Sequence, residues 1–217
     1  MSGQVRLHGY RYSVYNRIVR LVLHQKQVDY ETVEVNPFSE LPEGYLKLQP
    51  FGRVPVLSHG AFTIFETGAI TRYVDRAFRG PLLQPTDSKA LARMDQAIAM
   101  IDNYGYWPMI RQVVSHRVFR PLAGEPSSEA EVAEGIVASK RVLSALENLA
   151  VEERVLTGKD ITLADCHLAA MMDYFVRVRE GRELLSDYPS LSRWWERIFP
   201  MPMIQATDPG LADFASG

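Results

Sequence analysis

Apolar and polar positions along this chain change rhythm twice. Val5-Arg6-Leu7-His8 has the look of a short strand, and Gly9 closes it. From Ser13 to about Lys26, Ile18, Leu21 and Val22, with Val19 and Leu23 beside them, recur at the spacing of a helix face. Tyr30-Glu31-Thr32-Val33-Glu34-Val35 alternates as a strand does, and Asn36-Pro37 stops it. A loosely helical stretch through Tyr45 and Leu48 leads to two extended runs, 54–58 and 61–65, joined so tightly that they predict a hairpin. Ile70, Tyr73, Val74 and Ala77 mark a further helix, ended near Gly80-Pro81.

After Arg79–Asp87, a linker by composition, strand signals vanish. Leu91, Met94, Ile98 and Ile101 step by three and four along one long helix, and Val132, Ile136, Leu143 and Leu146 along another. Pro121, Gly124 and Pro126 mark the loop between them. Thr162 with Asp165 three residues on is a helix start, with Ile161 placed to clamp Cys166. "YPSLSRWWERIF" predicts a last helix before the proline-punctuated tail from Pro200. The chain therefore divides into an α/β domain at 1–80, a linker at 81–87 and an all-helical domain at 88–217. Strand–helix–strand implies a parallel pair, and the hairpin adds antiparallel edges. That order, βαβ-α-ββα, is the thioredoxin-like plan.

Composition narrows the function classes. The 217 residues are 47% apolar and 23% charged, with a net charge of −2. A near-neutral balance with Lys and Arg scattered among acids argues against nucleic acid as the partner, since phosphate binding needs a clustered basic surplus. No apolar run approaches the ~20 residues that span a bilayer, so no membrane partner is expected. The N-terminal Met-Ser-Gly-Gln-Val-Arg lacks the apolar core of a signal peptide. A single cysteine, Cys166, excludes an internal disulfide framework and suits a reducing cytoplasm.

The stretch "PFGRVPVLSHGAFTIFETGAI" carries parts that a plain hairpin does not need. Pro55 extends Val54 and is a candidate for a cis bond. There the main chain of Val54 turns outward, free to pair with an extended ligand as an added strand. Glu66-Thr67 lies where strand hands over to helix. Free amides and the positive end of the helix dipole meet at such a point. The Thr67 hydroxyl and amide suit a ligand carboxylate, and Glu66 suits its ammonium group. Together these demands describe a short zwitterionic peptide.

Those residues resemble the glutathione-binding half of the cytosolic glutathione transferases, whose wording is Val-Pro after Gln or Lys, then Glu-Ser or Glu-Thr. "YSVYNRIVRLVL" is similar to the segment that carries the catalytic hydroxyl in serine-type members. "ITLADCHLA" resembles the capping box of their helical domain, and "YPSLSRWWERI" a late helix. The likeness runs in order along nearly the whole chain and is closest to the phi-like and related bacterial branches.

The resemblance implies that Ser13 is the catalytic hydroxyl, donating a hydrogen bond to the sulfur of glutathione. A free thiol ionises near 8.5, and lowering that by roughly two units needs ~2.7 kcal/mol. One charge-assisted hydrogen bond plus a helix N-terminus suffices. Taken alone, a serine at this place is a helix N-cap. Tyr10, Tyr12, Tyr15 and Asn16 are rivals, Tyr10 the nearest because tyrosine serves this role in other branches a few residues earlier. Arg53, Val54, Pro55, Glu66 and Thr67 are the implied glutathione-binding residues. Arg53 replaces the usual Gln or Lys. Leu41 and Pro42 stand where phi-like members place a lysine for the glycyl carboxylate, so either Arg53 or Lys47 compensates, or glutathione binds less firmly, or the chain belongs to another class.

Elsewhere, Cys166 is expected to be a packed thiol, and the methionines core filler. The five histidines show no metal-ligand spacing, so no metal is expected. Tyr106 and Trp107, with Tyr12 and Tyr15, are candidates for the electrophile pocket. Tyr104, Arg111, His116 and Phe119 cluster near the first pair, where core or subunit-interface packing is the competing reading. The resemblance implies a homodimeric transferase that activates glutathione, its co-substrate, for attack on a hydrophobic electrophile. A maleyl-compound isomerase is the enzymatic alternative, although Ser13-Val14-Tyr15 lacks that branch's Ser-Ser-Cys. A dehalogenase or lignin-ether lyase uses the same scaffold. A non-catalytic binding or assembly module, like transferase-like domains on translation factors, is the alternative of another class.

Overall fold

The computed structural model describes residues 3–211. The chain divides into two compact units. Among the described residues, one takes those up to Leu83 together with Gln205–Pro209, the other Gln84–Ile204 and those from Gly210 on. The return of Gln205–Pro209 to the first unit has no counterpart in the hydropathic pattern, which assigned everything from 88 to the helical domain. Residues 212–217 of that assignment lie outside the described residues.

In the first unit, β1 (Val5–Gly9), β2 (Glu31–Glu34), β3 (Val56–His59) and β4 (Phe62–Phe65) form a mixed sheet in the order β2-β1-β3-β4. β1 and β2 are parallel, with helix α1 (Val14–Gln25) as the crossover that a parallel pair requires. β3 is antiparallel to β1 and to β4. The single turn α2 (Tyr45–Leu48) precedes the hairpin, and α3 (Thr67–Ala77) follows it. This is the thioredoxin-like arrangement that the sequence predicts.

Alternation decides what each face buries. Val5, Leu7 and Gly9 are buried while Arg6 is exposed. Leu7 stands opposite Leu57, and both are fully buried with Ile18, Leu21 and Val22 of α1 and Ile70 and Val74 of α3. Full burial contributes about 1.5–3 kcal/mol for each such side chain, so this face sets the register. Val56, one residue from Leu57, belongs to the other face. It clusters there with Val35 and Tyr45, and Leu41, Leu48, Val54 and Phe65 pack against them. A buried lysine joins the ends of α1 and α3: Lys26 Nζ donates to Asp75 Oδ1 at 3.1 Å and to the carbonyls of Asp75 and Pro81, each at 2.9 Å.

In the second unit, α4 (Ser88–Met100) starts from Asp87, whose carboxylate accepts the Ala90 N–H at 2.9 Å. It runs into a π-helical segment, Ile101–Phe119, that holds Pro108 within it. A wider turn tolerates a proline, which lacks the N–H and crowds the carbonyl of an ordinary helix. The short α5 (Arg120–Leu122), then α6 (Glu129–Val151), α7 (Leu163–Phe175), α8 (Arg179–Ser186), α9 (Pro189–Ile198) and α10 (Pro202–Ala206) follow. At Gly135 of α6, an added Cβ would lie 2.7 Å from the Gln112 side chain and 3.0 Å from the Pro108 carbonyl. Glycine therefore allows α6 its close approach to the π-helical segment. Every residue of α7 is buried, which is why its sequence is apolar nearly all round.

Candidate active site in the first unit

The sheet register gathers the candidate residues at one end. His8 pairs with Val56, Val56 with Phe65, and Gly9 with Glu34. The Tyr10–Ser13 turn after β1, Val54-Pro55 before β3 and Glu66-Thr67 after β4 all leave from that row. The sequence order scatters them over more than fifty positions; antiparallel pairing of β3 brings them together.

Ser13 is half-buried, with an extended backbone (φ −75°, ψ 122°), and caps α1: its Oγ accepts the Asn16 N–H at 3.2 Å. A hydroxyl has one proton and two lone pairs, so capping uses only acceptor capacity. Among the described residues the Ser13 hydroxyl donates to no group. Capping and sulfur stabilisation are thus compatible roles for one side chain.

The turn that presents Ser13 is built by Asn16, which is 2% exposed. Its Nδ2 donates to the Tyr10 carbonyl at 3.2 Å, and the Ser13 N–H donates to the same carbonyl at 2.9 Å. Asn16 Oδ1 is buried and has no hydrogen-bond partner among the described residues. It faces Gly9, where an added Cβ would stand 2.0 Å from it; only glycine fits there. Tyr10 is half-buried, edge-on to Tyr12 at 5.6 Å and to Phe38 at 5.9 Å between centroids. Burial, then the neighbouring Tyr12 and Glu34, pushes its phenol pKa up from the ordinary tyrosine value. Tyr12 lies under the Arg11 guanidinium, 5.4 Å from its ring centroid, and Tyr15 is half-buried on the first turn of α1.

The Val54-Pro55 bond is cis. Among the described residues, neither the N–H nor the C=O of Val54 has a partner. Two residues that sequence reasoning did not single out for function support this edge. Gln49, 3% exposed, accepts the N–H groups of Phe51 (2.6 Å) and Arg53 (3.2 Å) on its Oε1. The Tyr45 hydroxyl donates to the Arg53 carbonyl at 2.7 Å, and burial pushes its pKa up to about 12. Only the turn signal of Pro50 and Gly52 announced that this loop needs such support.

Glu66 is exposed at the head of α3 and has a φ of 69°, which residues other than glycine seldom adopt. Its carboxylate has no partner among the described residues. Thr67, 7% exposed, opens the helix, whose first N–H groups have no intrahelical acceptor. Arg53 and Lys47 are both exposed. Leu41 packs on the Val35–Tyr45–Val56 cluster and Pro42 is exposed, so that loop presents no cation at 41 or 42.

On the second unit, Trp107 is 59% exposed and Tyr106 half-buried. His116 and Phe119 have structural contacts: His116 Nδ1 accepts the Ser128 N–H at 2.9 Å, and Phe119 lies against Tyr174. Cys166 is fully buried. Among the described residues no group of three His, Cys, Asp or Glu could hold a metal ion, and no helix is long and apolar enough to cross a membrane.

Comparison with known proteins agrees with this geometry. Residues 7–82 match the glutathione S-transferase N-terminal domain, and 106–202 the C-terminal domain. Glutathione S-transferase F13 of Arabidopsis thaliana is 30% identical over 212 residues, covering 95% of this chain and 96% of that protein. A glutathione S-transferase of Hyoscyamus muticus is 29% identical, covering 91% and 94%. Among solved structures, glutathione S-transferase III in apo form superposes with a TM-score of 0.84 at 27% identity, over 96% of this chain and 97% of that one. The F-type relatives fit the phi-like branch. The chain therefore belongs to the glutathione S-transferase family, carries both of its domains in order, and has glutathione transferase as its enzyme class.

Proposed function

We propose that this transferase binds glutathione along the main-chain edge of Val54, and that the Ser13 hydroxyl donates a hydrogen bond to the glutathione sulfur. Thr67 and the first turn of α3 receive a carboxylate of the tripeptide, Glu66 its ammonium group, and Arg53 a further carboxylate in place of the absent lysine. Held as a thiolate, the sulfur attacks an electrophilic carbon: a C–S bond forms as the bond to the leaving group, a halide for instance, breaks, and that group departs with the bonding electron pair. Tyr106 and Trp107, with Tyr12 and Tyr15, are assigned to the apolar second substrate, and the working form is a homodimer.

One observation carries this reading above the others. Ser13 caps α1 by accepting a hydrogen bond, which leaves its proton undirected by the protein. The α1 N-terminus adds positive potential at that point, worth typically 0.3–1 kcal/mol to a nearby anion.

Steady-state conjugation rates with a panel of aryl halides, epoxides and maleyl acids test the reading in wild type and Ser13→Ala. The expected result is turnover of aryl halides, with kcat lowered in the variant and the KM for glutathione little changed. Turnover of maleyl acids alone would move the assignment to isomerisation. Glutathione binding without turnover of any of them would move it to a binding module.

A further inference from the structure

The segment that returns to the first unit is held by arginines near Ser13. Arg20 donates to the carbonyls of Thr207 (3.1 Å) and Ala206 (3.4 Å), and Arg17 Nε reaches Thr207 Oγ1 (3.4 Å). Arg11 Nε donates to the Pro209 carbonyl at 2.7 Å. Arg17 is fully buried and Thr207 is 2% exposed, so the attachment is built in and not a surface accident. The guanidinium fork, with its donors set in one plane, suits the successive carbonyls of Ala206 and Thr207 where α10 ends.

Arg11 stands two residues before Ser13. Its own N–H donates to Glu34 Oε1 at 3.0 Å. The ties on the Tyr10–Ser13 turn include those from Ser13 and Asn16 to the Tyr10 carbonyl and those from Arg11 to the Glu34 carboxylate and the Pro209 carbonyl. The returning strap supplies the last of these.

We propose that Arg11, anchored on Pro209, is a positioning residue for the Ser13 hydroxyl, so that Ala206–Pro209 serves the site of the first unit. This rests on the role of Ser13 given above. Releasing Arg11 removes no group assigned to touch glutathione; it widens the range of positions from which Ser13 donates. Hydrogen bonds weaken steeply with misalignment, so stabilisation of the thiolate suffers. Binding of the peptide through Val54, Glu66 and Thr67 does not.

The test is the pH profile of kcat/KM for aryl-halide conjugation, with calorimetric binding of S-methylglutathione, whose sulfur cannot ionise, as the second readout. Wild type, Arg11→Ala, Arg11→Lys, Arg20→Ala and Ser13→Ala are compared. Arg11→Ala is expected to move the apparent ionisation up by about half a unit to one unit, lowering kcat/KM below that ionisation by about three- to tenfold. Its affinity for S-methylglutathione stays within about twofold of wild type, because the misplaced donor acts on the thiolate. Arg11→Lys recovers part of the loss. Arg20→Ala shifts the profile in the same direction by less, and decides the matter if Arg11→Ala does not fold. Unmoved arginine profiles beside a shifted Ser13→Ala profile would overturn the strap's role and leave Ser13 standing. An unmoved Ser13→Ala profile would instead overturn the Ser13 assignment, and this inference with it. Loss of S-methylglutathione binding in Arg11→Ala would make the strap a binding or folding element and overturn the positioning role.

Discussion

Among the described residues α1, α6 and α7 each begin at a hydroxyl, and the hydroxyls of α1 and α7 have opposite fates. At α7 the cap is closed. The Thr162 N–H and Oγ1 both donate to Asp165 Oδ2, at 2.8 and 2.6 Å, and the Trp194 indole donates to Oδ1 at 2.7 Å. The Thr162 proton is consumed by a carboxylate that is itself wholly buried. At α1 the residue three places on from Ser13 is an amide, Asn16, and its side chain is drawn off to the Tyr10 carbonyl. No acid takes the Ser13 proton. Between these two caps the third residue of the helix, an acid in α7 and an amide in α1, makes the difference: one hydroxyl gives its proton to a carboxylate and the other retains it.

The comparison breaks most visibly if the closed cap is opened. Asp165→Ala leaves the Thr162 and Trp194 donors buried without an acceptor and should lower stability by about 3 kcal/mol or more, read from urea unfolding. A loss below about 1 kcal/mol would mean the box is not the fastening described here. Removing the open cap should act the other way, on activity more than on stability. Ser13→Ala is expected to cost about 1 kcal/mol of stability as a lost N-cap, and about 10- to 100-fold in kcat/KM as a lost charge-assisted hydrogen bond. Closing the open cap sharpens the contrast. In Asn16→Asp a carboxylate competes for the Ser13 proton, so kcat/KM should fall nearly as far as in Ser13→Ala. Full activity in that variant would sever the link between the third residue and the chemistry.

The smallest effect is a pH dependence. Burial is the largest influence on Asp165 and raises its pKa above the ordinary 3.8, against the lowering by its Thr162 and Trp194 hydrogen bonds. An acid raised in the folded state holds its proton longer there than in the unfolded chain. Its contribution to stability is therefore fully present below about 3.8 and is lost as pH rises through the raised value. The stability difference between wild type and Asp165→Asn should shrink as pH climbs from about 4 toward neutrality. A difference that grows over that range would show the hydrogen bonds outweighing desolvation.

Local chemistry made much of this legible. Pro55, the Ser13 cap, the acid and hydroxyl at the strand-to-helix handover and the Thr162–Asp165 spacing each act on backbone within a few residues, and such devices leave a short, readable mark. The sheet order followed from strand–helix–strand plus a hairpin. What stayed hidden acts at a distance. Gln49 and Tyr45 support Arg53 through side-chain bonds to main chain, and nothing local in a sequence marks which polar loop residues make such bonds. Arg11 finds Pro209 across 198 positions, a pairing that no periodicity encodes. The π-helical segment was also invisible, because the apolar steps from Leu91 to Ile101 suit an ordinary helix and only Pro108 hints at a change of turn.

Ultraviolet absorbance of enzyme-bound glutathione, titrated with pH, bears most directly on the Ser13 donor. Wild type should show thiolate absorbance at neutral pH, and Ser13→Ala should show it only at a pH about one to two units higher, since losing a charge-assisted hydrogen bond of about 1.5–3 kcal/mol shifts the ionisation by that much. The same titration curve in both proteins would contradict the account and pass the role to Tyr10 or to the backbone amides at the head of α1.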